Sequence, residues 1–316
     1  MKFLITGGTG FLGFYVARNF LHHGHEVICL DHSPNPEMIS HFPPEITVIH
    51  GDVSELGLVA KILGENPVDG VAHLAYVMGA EAEAHPPTAM RVNALGTANV
   101  FEEACKCGVK RILFTSSESI YGKSQSAYGD RPVTEEDFCS PREHVLNYSL
   151  TKLLNEHLAE KYETRFETEL VSLRIAIVYG AGRKRGATVW ASDFATLPAL
   201  GKPVTLPFPA DDWHCCIYVE DVAEEIYQLL TKPHLGHRIY NSGGHTVQAA
   251  DLEVMVREVI PEARILFSAD RPCSPFIYRM DHSRIGRELS FQQRSMIEGI
   301  RSHVRYAREL SPAGKP

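Results

Sequence analysis

The chain has 316 residues, 44% of them apolar, which is enough to fill a globular core and excludes a disordered polymer. A formal net charge of -8 argues against binding nucleic acid or an anionic membrane through bulk charge. The seven cysteines are odd in number, and neither Cys105/Cys107 nor Cys215/Cys216 has the spacing of a zinc site. Free thiols in a reducing cytosol and no metal are therefore expected. No run approaches the ~20 apolar residues of a membrane span. The chain enters a strand-like run at once, with no room for a secretory leader, so a cytoplasmic location is expected.

In chain order, KFLIT at Lys2–Thr6 reads as a first strand, followed by a glycine-rich turn and a helix to about 23. EVICLD at Glu26–Asp31 is a second strand ending in an acid, and a proline-rich loop follows. Strands are expected at 46–52 and 68–75, then a long helix over about 87–107. RILFTSS at Arg111–Ser117 is the next strand, a second long helix covers about 144–164, and 170–178 is one further buried strand. Apolar strands without alternation, joined by helices, predict a parallel sheet covered on both faces. That is the doubly wound α/β class, Rossmann-like. After Tyr179 the pattern turns irregular, with a basic loop at 180–186 and several prolines. Strand-then-helix returns at 217–230, and 281–310 is a charged amphipathic helical stretch. The expected division is a dinucleotide-binding domain over 1–179, rejoined near 214–242, and a smaller C-terminal substrate-binding region over 180–213 and 243–316.

TGGTGFLG at 6–13 follows a strand and opens a helix. Gly7, Gly10 and Gly13 permit a tight turn and let backbone N–H groups, including those of Phe11 and Leu12, approach a pyrophosphate at the helix N-terminus. Asp31 can accept both ribose hydroxyls and would repel a 2′-phosphate, so NAD is expected over NADP. Asp52, beside Val53, either accepts the adenine amino group or serves the start of the next helix. The backbone at Leu74 and Ala75 should line the dinucleotide, and His73 reads as a packed core histidine. Asn93 is expected to bond backbone close to the site.

Tyr148 and Lys152 lie four apart in NYSLTK and share one helical face. A phenol with its ordinary pKa of about 10 is a poor base at neutral pH. A neighbouring ammonium and a positively charged nicotinamide favour the phenolate, making Tyr148 a general base for an alcohol proton. Ser117, at the emergent end of its strand, can hold the same oxygen, while Ser116 suits strand-end capping.

Together these residues resemble the extended short-chain dehydrogenase/reductase family, in its NAD-dependent epimerase/dehydratase branch. The likeness spans nearly the whole chain: TGGTGFLG, Asp31, GDV at 51–53, HLAY at 73–76, VNALGT at 92–97, TSSESIYG at 115–122, YSLTK at 148–152, LRIAIVYG at 173–180 and VEDVA at 219–223. By that resemblance Ser117, Tyr148 and Lys152 take the catalytic positions. It also implies a homodimer through the helices near 90–107 and 145–163, where Val92, Leu95, Val100, Leu153, Leu154 and Leu158 are the apolar residues that serve either that interface or the core.

Three positions bear on the substrate. Dehydratases of the family carry Asp-Glu after the catalytic hydroxyl residue, whereas this chain has Glu118 and Ser119, an incomplete pair for water elimination. His214 stands where many of the epimerases carry an arginine. Arg271 matches an arginine that grips a nucleotide diphosphate. Arg183 of the RKR run either serves an anionic substrate or lies in a solvated loop; with His214 as a neutral or positive donor near pH ~6.5, Arg271 makes an anionic sugar derivative the expected substrate. The expected activity is NAD-dependent oxidation of a secondary alcohol of a sugar or sugar nucleotide, ending as a dehydrogenase or as an epimerase. A non-catalytic NAD-sensing regulator is the alternative from another class, and it would not need both Tyr148 and Lys152.

Overall fold

The computed structural model describes residues 1–311 apart from 123 and 145, so residue 145 of the second long helix and residues 312–316 of the expected substrate region lie outside the described ones. Among the described residues twelve strands are formed: β1 Lys2–Thr6, β2 Glu26–Asp31, β3 Thr47–His50, β4 Gly70–His73, β5 Arg111–Ser117, β6 Glu169–Ile175, β7 Ile177–Tyr179, β8 Val204–Leu206, β9 Trp213–Tyr218, β10 Ile239–Asn241, β11 His245–Gln248 and β12 Ile265–Phe267. Seven make the main sheet in the order β10-β6-β5-β4-β1-β2-β3, every pairing parallel.

Side chains alternate across each strand, which is why unbroken apolar runs fit here. Phe3 and Ile5 of β1 join one core with Phe14 and Ala17 of the helix Phe11–His22 and Val222 and Ile226 of the helix Val219–Thr231. Leu4 between them faces a second core with Val59 and Ile62 of the helix Leu56–Glu65 and Val100 and Phe101 of the helix Thr97–Lys106. The strand order reverses at β1, which has β4 on one side and β2 on the other. Ligand crevices of open parallel sheets lie at the carboxyl ends of strands beside such a switch point.

Three expectations are corrected. The strand expected over 170–178 is two: β6 ends at Ile175, and β7 leaves to pair with β9 in a three-stranded sheet ordered β11-β9-β7. The backbone turns where Ala176 donates its N–H to the Ser242 hydroxyl (3.0 Å) instead of continuing a ladder. The helical stretch expected over 281–310 is likewise two helices, Ser283–Glu288 and Met296–Glu309. A capping box, with Ser295 and Glu298 satisfying each other's backbone, starts the second. Finally, Val100 and Leu153 are buried and cannot face a second copy. Leu95 (52% exposed) and Leu154 (48%) do face outward, alongside Met90 and Leu150.

The returning segment contributes β10 to the main sheet beside β6. The later region is no loose appendage: Phe194, Leu206, Leu252, Ile300 and Val304 belong to the same core as Ile5 and Phe14. Among the described residues, no helix is long and apolar enough to cross a membrane, and no His/Cys/Asp/Glu group could hold a metal.

His303 of the helix Met296–Glu309 is fully buried, with its Nε2 2.8 Å from the Thr196 hydroxyl, and burial pushes its pKa down to about 3. The folded chain therefore refuses a proton that the unfolded chain takes up below its ordinary pKa of about 6.5. Stability tied to this group is complete at neutral pH and is lost as pH falls. Urea unfolding of the wild type and His303→Gln should converge by about 1.4 kcal/mol per pH unit as pH drops from about 6.5 to about 5. Parallel curves would show that the imidazole is not held neutral by the fold.

Candidate active site

β1 ends at Thr6, and the chain turns at Gly7 with φ +67°, a left-handed conformation that suits glycine. A side chain there would also strike the next strand's exit, because a Cβ on Gly7 would sit 2.9 Å from Ala75 N. One helical turn on, a Cβ on Gly13 would lie 2.2 Å from Gly7 O, so the turn and the helix fit only without side chains. The helix Phe11–His22 has no acidic residue in its first turn. Its leading N–H groups have no intrahelical acceptors and favour an anion.

The Asp31 carboxylate, at the end of β2, is steered by this turn. One oxygen accepts from Thr9 N (3.0 Å) and the Thr9 hydroxyl (2.7 Å), the other from Ser33 N (3.0 Å). Asp52 accepts from Ser54 N (2.8 Å) and from Arg91 Nη1 (2.8 Å), and these bonds hold its carboxyl below the usual range despite burial. Its turn role is thus formed, and Arg91 is a partner that sequence reading missed. Leu74 and Ala75 both donate N–H to the Thr6 hydroxyl, each at 3.2 Å. His73 is buried between the Thr6 and Thr97 hydroxyls (2.7 and 2.9 Å), and burial pushes its pKa down to about 3. It is a neutral core histidine.

Asn93 sits in a π-helical turn, Arg91–Gly96, inside the long helical stretch. The wider turn aims its amide at Val77, giving to Val77 O and accepting from Val77 N, both at 2.8 Å. The loop after β4 is thereby fixed to the helix. A side-chain-free anion cradle, a carboxylate at the end of β2 and a pinned backbone at 74–77 fit a dinucleotide whose ribose hydroxyls need an acceptor.

The reactive group gathers where β5 ends. Tyr148 and Lys152 project from the helix Asn147–Glu163, and the Ser117 hydroxyl lies close enough to the Tyr148 phenol to lower its pKa. Lys152 is 2% exposed and donates to the backbone carbonyl and hydroxyl of Thr115. Its Nζ lies 3.4 Å from the Tyr76 ring centroid and 5.5 Å from that of Tyr148. Burial holds the Lys152 pKa well below its ordinary value, and Glu156 offsets this in part. Burial raises the Tyr148 phenol, which the neighbouring Ser117 hydroxyl and the Arg183 charge lower and Glu118 raises. Arg183 is thus a cation acting on the phenol, a role beyond the substrate contact expected of it. Tyr76 and Asn155 were also missed; Asn155 donates to Tyr76 OH (3.1 Å) and to Asn93 O (2.9 Å). Glu118 is buried, its carboxyl pKa is raised well above normal by desolvation, and its Oε2 has no hydrogen-bond partner among the described residues.

The three expected substrate contacts fare differently. Arg183 stacks over Phe11 (4.9 Å to the ring centroid) and donates to the Thr188 hydroxyl (2.8 Å), beside the glycine turn. Burial lowers its pKa to about 10, so it stays cationic at neutral pH. His214 departs from expectation. It is 3% exposed, boxed by Trp190 and Phe208 with ring centroids at 4.8 and 4.4 Å, and burial pushes its pKa to about 4. It is neutral at physiological pH and no titrating donor near 6.5. Arg271 is exposed, two residues before Cys273. Cys273 lines a cavity of about 320 Å³ that also includes Asp130, Asp211, Asp212 and the stacked pair Trp213 and Tyr278. Its described lining includes three carboxylates and no basic side chain.

Comparison with known proteins accords with this geometry. Residues 3–243 match the model of the NAD dependent epimerase/dehydratase family. The chain is 28% identical over 82% of its length to a UDP-glucose 4-epimerase of Corynebacterium glutamicum, covering 80% of that protein. It is 25% identical over 97% of its length to a dTDP-glucose 4,6-dehydratase of Salmonella typhimurium, covering 92% of it. A Thermus thermophilus UDP-glucose 4-epimerase solved with NAD superposes with TM-score 0.80 at 25% identity, over 98% of this chain and 99% of that one. A Thermotoga maritima UDP-glucose 4-epimerase shares the fold with TM-score 0.84 at 22% identity, over 98% and 99% of the two chains. The chain belongs to the NAD-dependent epimerase/dehydratase family, and it is an enzyme whose cofactor is NAD.

Proposed function

We propose that this enzyme oxidises a secondary alcohol on the sugar ring of a sugar nucleotide, with Tyr148 as general base, and returns hydrogen to the same carbon as an epimerase. The observation that carries the reading is the meeting of the Ser117 hydroxyl and the Tyr148 phenol at the end of β5, with Lys152 one helical turn behind. Gly7, Gly10, Gly13 and Asp31 would hold NAD, which would supply a hydride acceptor for the carbinol carbon. Tyr148 as phenolate accepts the hydroxyl proton, and Ser117 donates a hydrogen bond to the same oxygen. Lys152 keeps Tyr76 and the end of β5 in register with that oxygen. Arg183 is the cation beside the pair and suits a phosphate or carboxylate by two parallel hydrogen bonds. Water elimination is disfavoured, because Ser119 offers no carboxyl and its hydroxyl is already bonded to Ser117.

A simple dehydrogenase on the same site is the second reading, distinguished by its product. The purified enzyme with NAD would be offered UDP-glucose, UDP-glucuronic acid and dTDP-glucose. Inversion at one ring carbon without net NADH supports the epimerase, and stoichiometric NADH at 340 nm supports the dehydrogenase. Turnover of none of them, or loss of water as the main product, would overturn the proposal. The unpaired state of all seven cysteines favours a reducing, cytoplasmic location.

Three outcomes are expected. NAD should bind at least about tenfold more tightly than NADP, since Asp31 would face a 2′-phosphate. Calorimetric titration with both cofactors measures this, and Asp31→Ser should narrow the gap. Tyr148→Phe should lower kcat by roughly 100-fold or more with NAD affinity nearly unchanged, because the lost hydroxyl acts on the substrate proton alone. Wild-type turnover in that variant would remove Tyr148 from the base role. Outward-facing Leu95, Leu154, Met90 and Leu150 form the apolar face on which we place a homodimer. Sedimentation should then give twice the 35.2 kDa chain mass, and Leu95→Glu with Leu154→Glu should return it to the monomer.

A further inference from the structure

Beyond the catalytic pair, the end of β5 carries a chain of hydroxyls. Ser117 is the N-cap of a tight turn, Glu118–Tyr121, and its Oγ accepts from Ser119 N at 3.1 Å. The same turn brings the Ser119 hydroxyl to 3.0 Å from Ser117 Oγ, as donor. Ser149, next to Tyr148 in the helix Asn147–Glu163, donates to Ser119 Oγ at 2.8 Å. All three serines are buried.

A hydroxyl has one proton and two lone pairs. Ser117 Oγ receives two hydrogen bonds from Ser119, so both lone pairs are engaged. Its remaining capacity is the single proton, which is available only to an acceptor on the open side, the Tyr148 oxygen or the reacting oxygen of a substrate. Ser119 cannot take that proton without giving up its own donation, and the bond from Ser149 holds Ser119 in the donating sense. Successive hydroxyls aligned in one direction also polarise one another.

We propose that Ser119 and Ser149 are positioning residues that lock the Ser117 hydroxyl as a donor toward the reacting oxygen. The inference rests on the reading of Tyr148 as base and deepens it. It gives position 119 a task of its own: Ser119 carries no acid or base, and it sets the direction of the catalytic hydrogen bond.

The test needs no substrate. Protein with saturating NAD is titrated with base, and phenolate absorption is followed in the ultraviolet. The Tyr148 component is whatever Tyr148→Phe removes. Charged or titratable groups facing Tyr148 are Lys152 on its own helix, Tyr76 after β4, Glu118 after β5 and Arg183 after β7, and all stay in place in the serine variants. Ser119→Ala and Ser149→Ala should each raise the Tyr148 midpoint by roughly 0.5–1 pH unit, since a freely turning Ser117 no longer favours the phenolate. Ser119→Thr should restore it. With any sugar nucleotide that turns over, the same variants should lower kcat and leave KM within about twofold. Ser149→Ala approaches the chain from the helix side, so the test stands if Ser119→Ala fails to fold. A Tyr148 component that keeps the wild-type midpoint in both alanine variants overturns the relay and leaves the base assignment intact. A titration that Tyr148→Phe does not alter overturns the base assignment and the relay with it.

Discussion

A buried lysine organises this active site. Lys152 has been taken out of water, and the cost of that desolvation is several kcal/mol unless the charge finds partners or sheds its proton. Its partners come from separate parts of the chain: the Thr115 carbonyl on β5 and the face of Tyr76 after β4. An ammonium over an aromatic face in a dry setting is worth about 2 kcal/mol. The Lys152 position is therefore determined jointly by strand, loop and helix. Tyr148, one turn earlier on the helix, inherits that position and meets Ser117. Asn155, nearly one turn later, bonds Tyr76 and ties the helix to the π-helical turn. Displacing Tyr76 would thus disturb the base without touching it.

Much of this was legible because it depends on local pattern. Buried parallel strands announce themselves as apolar runs, and their ends locate Asp31 and Ser117. A glycine turn between strand and helix, and a tyrosine four residues before a lysine, need no tertiary knowledge to interpret. What stayed hidden depends on contacts between distant segments. Nothing local says that Tyr76 will cover Lys152, or that Arg91 will reach Asp52. His214 reads as a polar side chain in a polar stretch, and only the packing of Trp190 and Phe208 makes it a neutral core residue. Helical periodicity identifies an apolar face but not its neighbour, so Val100 and Leu153 were grouped with Leu95 and Leu154 although the first two are interior. Glu118 departs from the dehydratase pair in sequence, and only burial shows that its carboxyl pKa is raised.

Charge differs between two regions of the molecule. Arg183 and the helix N-terminus make the neighbourhood of the glycine turn favourable to anions. The cavity beside Cys273 bears Asp130, Asp211 and Asp212, with Trp213 and Tyr278 as an apolar wall. Carboxylates there are acceptors suited to hydroxyl groups, and an aromatic stack suits the apolar face of a ring. A ligand that placed phosphate in the cavity would meet three like charges.

The π-helical turn at Arg91–Gly96 bears on how this chain can vary in length. A π turn holds one residue more than the α turn it replaces. Deleting one residue there would restore the α repeat and leave the two flanks nearly in phase, because the wide turn absorbs the extra residue. Arg91 and Asn93 reach Asp52 and Val77 from within the wide turn, while Thr97 reaches His73 from just beyond it. A one-residue deletion at this point would therefore spare the packing of the flanks and cost the hold on Asp52 and Val77.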